Sequence, residues 1–142
     1  MIRLNKHMAQ FAKAAAGDFG AAGSEMDYTS LKPTLDVADG LSRVMNNKKL
    51  FFRLLSRFSG SQMVEDIIEA IQEGNNIRVQ QAAHALKGVS ANLGLSELHS
   101  ISLQIETRAK VLEAADDLLP NLKQTLTATM AAIESLLAGE EI

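Results

Sequence analysis

The stretch QQAAHALKGVSANLGL, residues 80–95, places a histidine beside a lysine and a glycine at helical spacing. On a wheel of about 100° per residue, the apolar side chains of this segment share one side, and His84 points about 160° away from their centre. The pattern therefore predicts an exposed histidine. A free imidazole, whose ordinary pKa is about 6.5, is mostly neutral at pH 7 and carries a lone pair that can attack phosphorus.

Two neighbours distinguish His84 from an idle surface histidine, which is the commoner explanation of a lone exposed imidazole. Lys87 follows three residues later, so its ammonium can reach the space above the ring and neutralise part of an attached phosphoryl charge. Gly88 is unfavourable inside a helix, which indicates that a large partner needs the room beside the ring. Ala91, one turn further, keeps this surface low.

The other ionisable residues are weaker candidates. His99 begins another helix without a lysine–glycine pair, so we interpret it as ordinary surface, with a residue at the border of the site as the alternative. His7 lies in the N-terminal tail and is interpreted as unrelated to the site. Adjacent acidic residues on a helix do not converge, so the pairs 65–66 and 116–117 are interpreted as helix surface and a helix N-terminus. The sequence shows no acidic metal cluster, and it contains no P-loop, dinucleotide fingerprint, HExxH or GxSxG motif.

The elements that must position this site are helices. Aromatic residues make up only 4% of the chain, there are two prolines, and valine and isoleucine seldom alternate with polar residues. Short connections separate the amphipathic segments, and short connections make successive helices antiparallel neighbours. The sequence therefore predicts an all-α protein, an up-down-up-down four-helix bundle with a short additional N-terminal helix.

The N-terminal half of this bundle is predicted as follows. Asp36 caps a short helix over residues 36–46, with Leu41, Val44 and Met45 inward. A long amphipathic helix follows over residues 48–73 and ends at Gly74 and Asn75. Gly60 interrupts it at a cost of about 1 kcal/mol against alanine, and we expect one bent helix, with a break as the alternative. Its inward stripes comprise Phe51, Leu54, Leu55, Phe58, Val64, Ile67, Ile68 and Ile71.

The C-terminal half carries the remaining helices. The histidine helix is predicted to close at Gly94, a favourable residue just past a helix end. Ser96 is expected to cap the next helix, and Pro120 lies in the first turn of the last one, where a missing N–H is tolerated. The inward residues of these two helices are predicted to be Leu98, Ile101, Ile105, Ala109, Leu112, Leu119, Leu122, Leu126, Met130, Ile133 and Leu137.

Composition narrows the class of protein. The chain has 142 residues, a net charge of −3 and no cysteine, which excludes disulfides, thiolate metal sites and a cysteine nucleophile. A weakly acidic protein lacks the basic footprint of a nucleic-acid binder. No apolar run approaches the roughly 18 residues that span a bilayer, and no signal peptide is evident. We therefore expect a cytoplasmic protein that contacts neither nucleic acid nor membrane.

The chain divides into a tail and a bundle. Residues 1–33 are predicted to be an N-terminal tail or linker that can form a short amphipathic helix before a glycine-rich connector. A linker from a larger protein, an expression remnant and a docking helix all fit this segment. Residues 34–142 are predicted to form the bundle.

The segment HALKGVSANLG resembles the signature of histidine-containing phosphotransfer (HPt) domains, roughly H-x-L-K-G-x-[SA]-x-x-x-G. The resemblance extends over residues 34 to about 138, through DVADGLSRVMNNKKLFFRLLSRF before the histidine and LSELHSISLQIE after it. The tail lies outside it. The signature residues matched here are His84, Leu86, Lys87, Gly88, Ser90 and Gly94.

The resemblance implies that His84 accepts a phosphoryl group from a receiver-domain aspartate and passes it to another receiver, without autonomous kinase activity. Lys87 would stabilise the phosphoryl group, and Gly88 would permit close approach of the receiver. The implied partners are response-regulator receiver domains, which supply Mg²⁺, and a hybrid sensor histidine kinase as a further option. The chain itself would need no cofactor and no metal, and it would act as a monomer.

Three more residues are candidates for lining the site. Gln81 and Ala91 belong to the histidine helix, and Gln104 belongs to the next helix. Glu106 is an alternative to Gln104 for orienting the imidazole, but a carboxylate aimed at a phosphate would repel it, so we rank Glu106 below Gln104.

Two other functions compete with the phosphotransfer hypothesis. A non-catalytic helical adaptor would bind a receiver or another partner through the same face, and its binding would survive replacement of His84. A dimerisation module of an autokinase also exposes a histidine on a helix, but it needs an ATP-binding domain, for which this chain shows no signature.

Overall fold

Six α-helices account for most of residues 34–140, the part of the chain that the computed structural model describes. They are α1 (Val37–Ser42), α2 (Lys48–Ser56), α3 (Gly60–Glu73), α4 (Asn76–Leu93), α5 (Ser96–Lys110) and α6 (Leu119–Glu140), with a 3-10 turn at Asp116–Leu118. These residues include no strand, and the predicted all-α class is confirmed. The predicted tail helix lies outside the described residues. No described helix is both long and apolar enough to cross a membrane.

Helices α3 to α6 form the four-helix bundle. α4 packs between α3 and α5, and α6 contacts both α5 and α3, which closes the ring. The turns after α3 and α4 each place a glycine in the left-handed region, with φ of 71° at Gly74 and 75° at Gly94. The chain reverses direction at both glycines, so neighbouring helices run antiparallel. The predicted topology and the predicted helix end at Gly94 are confirmed.

One apolar core joins these helices. Side chains of α3 and α4 meet those of α5 and α6 in the centre, while Phe51 and Leu55 of α2 close one end. The inward stripe predicted for α3 is confirmed, since all four of its residues are buried. The largest apolar side chains with less than 2% exposure are Phe51, Leu35, Leu55, Ile67, Leu86, Leu95, Leu98, Ile105 and Leu122.

The prediction of one bent helix over residues 48–73 is wrong, because the chain breaks between α2 and α3. α2 ends at Ser56, and α3 starts afresh at Gly60. A Cβ at Gly60 would crowd the ring of Phe58, which packs against the core beside it. The glycine therefore gives the Phe58 ring room at the corner where the two helices meet. Leu54, expected inward, is 39% exposed.

Two other inward predictions fail where helices end earlier than the apolar pattern suggests, and one predicted helix cap is wrong. α1 ends at Ser42, and Met45 follows in a left-handed turn with φ of 55° and 83% exposure. Leu112 lies beyond the end of α5, with φ of 58° and 75% exposure. A helical wheel does not describe residues outside a helix, so neither side chain points inward. Ser96 is the first residue of α5, and Leu95 occupies the capping position without a side-chain hydrogen bond.

The short helix α1 is fixed to the end of the bundle that holds the α4–α5 turn. The backbone N–H of Asp36 donates to the carbonyl of Gly94 at 2.7 Å. The Asp36 carboxylate accepts a hydrogen bond from the N–H of Asp39 at 3.1 Å, which confirms the predicted cap. Gly40 lies directly against the ring of Phe51. These contacts fix the turn that sets how α4 and α5 lie side by side.

Candidate functional site

His84 lies in the middle of α4 on the face that points away from the core. Its neighbours Ala83 and Leu86 are fully buried, whereas 67% of the His84 side chain is exposed. The 3.6-residue period explains this contrast, because residues 83 and 86 point to the core and residue 84 points outward. The exposure predicted from the wheel is confirmed.

A buried carboxylate on α5 holds the inner edge of this ring. Oε2 of Glu106 lies 2.8 Å from Nδ1 of His84, and only 3% of the Glu106 side chain is exposed. Its neighbours Ile105 and Ala109 are buried in the core, so the helix itself directs Glu106 into the seam between α4 and α5. The contact joins the two helices at the level of the histidine.

Two ammonium groups share the same carboxylate. Nζ of Lys87 lies 2.7 Å from Oε1 of Glu106, and Nζ of Lys110 lies 3.7 Å from Oε2. Burial raises the pKa of Glu106, but hydrogen bonds from Lys87 and His84 and the charges of both lysines outweigh it and hold that pKa below its usual range. Glu106 is therefore ionised at neutral pH.

The ionised state of Glu106 decides which nitrogen of a neutral His84 carries the proton. A carboxylate has only acceptor atoms, so Nδ1 must donate its N–H to Oε2. Nε2 then has the free lone pair, and the ring geometry directs that lone pair away from the buried carboxylate. The arrangement presents a nucleophilic nitrogen to whatever docks on α4, without a proton that must first be removed.

The surface next to His84 on α4 is low and open. A Cβ at Gly88 would meet no atom within 4 Å, so nothing inside the described chain requires a glycine there. Ala91 is half-buried, and Gln81 is exposed one turn before the histidine. Gly88 costs about 1 kcal/mol of helix stability against alanine and gains no internal packing in return.

Glu106 is the residue that the sequence prediction undervalued. The sequence favours Gln104 over Glu106, but Glu106 contacts the imidazole, and no hydrogen bond joins Gln104 to His84 in the described chain. Residues 104 and 106 are about 200° apart on a helix, so they cannot share a face. The inward residues 98, 101, 105 and 109 already indicate that position 106 borders the core. The pattern of α5 alone does not show that His84 faces this border position.

The remaining candidates form no ion pair with His84 or Glu106 among the described residues. His99 is half-buried in the first turn of α5. Asp117 lies in the 3-10 turn before α6, 2.7 Å from Arg108, which fixes the α5–α6 connection. No group of three potential metal ligands occurs among residues 34–140. Two clefts have volumes of about 220 and 370 Å³, and Gln104 lines the larger one. His84 lines neither cleft, so it is on open surface. A site of this shape suits a macromolecular partner that brings its own pocket.

Comparison with known proteins gives a family and a fold. The family model described as "Hpt domain" matches residues 57–136. Among solved structures, the HPT domain from the Hpt sensor hybrid histidine kinase of Shewanella is similar, with a TM-score of 0.66 and 21% sequence identity. The alignment covers 74% of this chain and 94% of that chain. No curated protein matches this chain. The matched segment contains α4, α5 and the complete His84 site.

Replacing Lys87 by methionine tests the electrostatics of the seam. The pKa of Glu106 should rise in Lys87→Met, because burial continues to disfavour the charge while the nearest cation is gone. A lowered pKa in the folded state stabilises the protein above the unfolded-state pKa, and this contribution disappears as the pH falls through the folded-state pKa. Lys87→Met should therefore lose less stability on acidification than the wild type.

Carbon NMR titration of the Glu106 carboxyl measures the shift, and urea unfolding at neutral and acidic pH measures its consequence. Lys123→Met, at an exposed position of α6, is the control and should leave the pKa of Glu106 unchanged. A pKa of Glu106 that stays the same or falls in Lys87→Met would contradict the assigned pairing.

Proposed function

Because this chain belongs to the Hpt domain family and so has a histidine phosphotransfer role in phosphorelay signalling, we propose that His84 is the residue that carries the phosphoryl group. In this proposal a receiver domain of a response regulator transfers the group from its phospho-aspartate to His84. A second receiver then takes it from His84. The chain has no kinase activity of its own and needs no cofactor, and the receiver supplies Mg²⁺.

The observation that carries the proposal is the 2.8 Å contact between Nδ1 of His84 and the buried Glu106 carboxylate. It supports Nε2 as the nucleophile, because the carboxylate requires the proton on the other nitrogen. The contact also restricts rotation of the ring, so the lone pair has a defined direction. In phosphoryl transfer a protein contributes mainly position and charge, and both are supplied here by few residues.

The transfer step balances without a general base. The lone pair of Nε2 forms a bond to phosphorus, the bond from phosphorus to the aspartate oxygen breaks, and the aspartate leaves as a carboxylate. The ring keeps its Nδ1–H and gains a positive charge, which lies against the negative charge of Glu106. Onward transfer reverses these changes: the N–P bond breaks, the electron pair returns to Nε2, and the ring becomes neutral again.

The neighbouring residues have supporting roles in this proposal. Lys87 lies one turn from His84, and its ammonium stabilises the phosphoryl oxygens, which carry a charge of about −1.5 to −2. Gly88 permits the receiver to approach the ring, with Ala91 and Gln81 in the contact surface. Glu106 orients the imidazole. Gln104, on another side of α5, remains a candidate contact for a large partner but not for the ring.

The organisation of the protein follows from the same proposal. Residues 34–142 constitute the HPt bundle and residues 1–33 a tail or linker. The partners are receiver domains, with a hybrid sensor histidine kinase as a further option, since the similar Shewanella domain is described as part of one. We propose a cytoplasmic location and a monomer that contacts neither nucleic acid nor membrane.

Replacement of His84 by glutamine should abolish phosphoryl uptake. The experiment incubates the protein with a receiver carrying radioactive phosphate and measures acid-labile label on each protein. His99→Gln is the matched control and should accept label like the wild type, because no ion pair joins His99 to Glu106 or Lys87 in the described chain. Label on His84→Gln at the wild-type level would rule out the assignment, and receiver binding without any label on the wild type would favour the adaptor.

Replacement of Gly88 by glutamine should raise the stability of the fold while it hinders docking of the receiver. Glutamine has the higher helix propensity and meets open space, so the free energy of unfolding should rise by about 0.5 kcal/mol. Its side chain should nevertheless obstruct the receiver and slow phosphoryl transfer to His84 at least about tenfold, equivalent to about 1.4 kcal/mol in the barrier.

Gly139→Gln is the control for this variant, because Gly139 is also exposed in a helix with no atom near its Cβ position. It should change the unfolding free energy in the same direction and leave the transfer rate unchanged. Transfer at the wild-type rate in Gly88→Gln would show that the receiver does not pass over this position.

A further inference from the structure

Lys87 already has a partner before any phosphoryl group arrives. Its Nζ lies 2.7 Å from Oε1 of Glu106, and its side chain is only 24% exposed. A phosphoryl group on Nε2 of His84 therefore competes with Glu106 for the same ammonium. The competition is unequal in charge, since the phosphoryl group carries nearly two negative charges and Glu106 carries one.

Moving Lys87 towards the phosphoryl group would weaken the compensation of a buried charge. Glu106 is 3% exposed, so water cannot replace the lysine. A buried carboxylate that loses its counter-ion is strongly destabilising. His84 continues to donate from Nδ1 to Oε2. Oε1 of Glu106 is buried without a hydrogen-bond donor in the described structure, so the ion pair with Lys87 is what compensates it. A second cation is needed if Lys87 is to leave.

We propose that Lys110 is a positioning residue for phosphotransfer: it takes over the charge of Glu106 when Lys87 turns to the phosphoryl group on His84. This inference rests on the proposed role of His84. The two lysines then have different roles: Lys87 acts on the phosphoryl group, and Lys110 acts through Glu106.

The position of Lys110 fits this duty. It follows Glu106 by one turn of α5, and its Nζ lies 3.7 Å from Oε2, about 1 Å farther than a close ion pair. More than half of its side chain is exposed, so the stem is free to move. Among residues 34–140, Glu106 is the acidic group paired with Lys110. The lysine therefore has a loose contact that can tighten.

A direct contact between Lys110 and the phosphoryl group, or between Lys110 and the receiver, is the competing explanation. We call the exchange of the Glu106 ion pair from Lys87 to Lys110 the hand-over. The hand-over and a direct contact can be separated, because only the hand-over requires a charge at position 106. In a Glu106→Gln background, the neutral amide no longer attracts Lys87 by charge, and Lys110 has no charge to compensate. A direct contact of Lys110 would keep its effect in that background.

The test uses the full chain phosphorylated by phosphoramidate, so it requires no receiver. The Nε2 lone pair attacks phosphorus, the P–N bond of phosphoramidate breaks, and ammonia leaves. Phosphorus NMR then follows the pKa of the phosphoryl group on His84, which is lower when Lys87 contacts it. The variants are Lys110→Gln, Lys110→Arg, Glu106→Gln and the Glu106→Gln, Lys110→Gln double variant.

The hand-over predicts that Lys110→Gln raises the phosphoryl pKa by about half a unit, a roughly threefold change in proton affinity. Lys110→Arg should keep the wild-type value, because it keeps the cation. In the Glu106→Gln background, Lys110→Gln should shift the pKa by at most about a third as much. An equal shift in both backgrounds, or none in either, would overturn the inference.

Failure of this inference differs from failure of the proposed function. If receivers do not transfer label to His84, the proposed function is wrong whatever the phosphorus titration shows. If receivers transfer label to His84 but Lys110→Gln shifts the titration equally in both backgrounds, the function holds and the hand-over is wrong.

Discussion

The buried carboxylate of Glu106 is the interaction on which the rest of the site depends. A charge with 3% exposure persists in a protein interior only if opposite charges and hydrogen-bond donors surround it. Lys87, His84 and Lys110 supply them from both sides of the α4–α5 seam. Two of those partners, His84 and Lys87, are also the groups that the phosphotransfer proposal places at the phosphoryl group. The need to compensate the buried charge of Glu106 thus also holds His84 and Lys87 in place for phosphoryl transfer.

The fold serves this arrangement by fixing the α4–α5 pair. The glycine turn at Gly94 and the hydrogen bond from Asp36 hold the end of α4 at a defined height beside the start of α5. From that turn, ten residues back along α4 and about twelve along α5 bring His84 and Glu106 level. The outer surface of α4 is left low at Gly88, which has no internal neighbour. The site thus has two different sides. The side of the His84 ring that faces α5 is held by Glu106, and the surface of α4 beside Gly88 is open.

Features confined to one helix were predictable from the sequence. The 3.6-residue period placed His84 outside and Leu86 inside, the cap at Asp36 followed from its residue type, and the glycine at residue 94 marked a helix end. Features that depend on contact between helices were not predictable from the sequence. The break near Gly60 depends on how Phe58 packs, and the value of Glu106 depends on which residues of α4 face it. A single-helix pattern contains neither kind of information.

The protonation pattern of His84 tests the central claim most directly. A long-range nitrogen–proton NMR correlation of the neutral His84 ring, recorded again after phosphoryl transfer from a receiver, identifies the nitrogen that bears the proton and the one that bears phosphorus. The Glu106 contact predicts the proton on Nδ1 in the neutral ring and phosphorus on Nε2 afterwards. A neutral ring protonated on Nε2, or phosphorus bonded to Nδ1, would contradict the account.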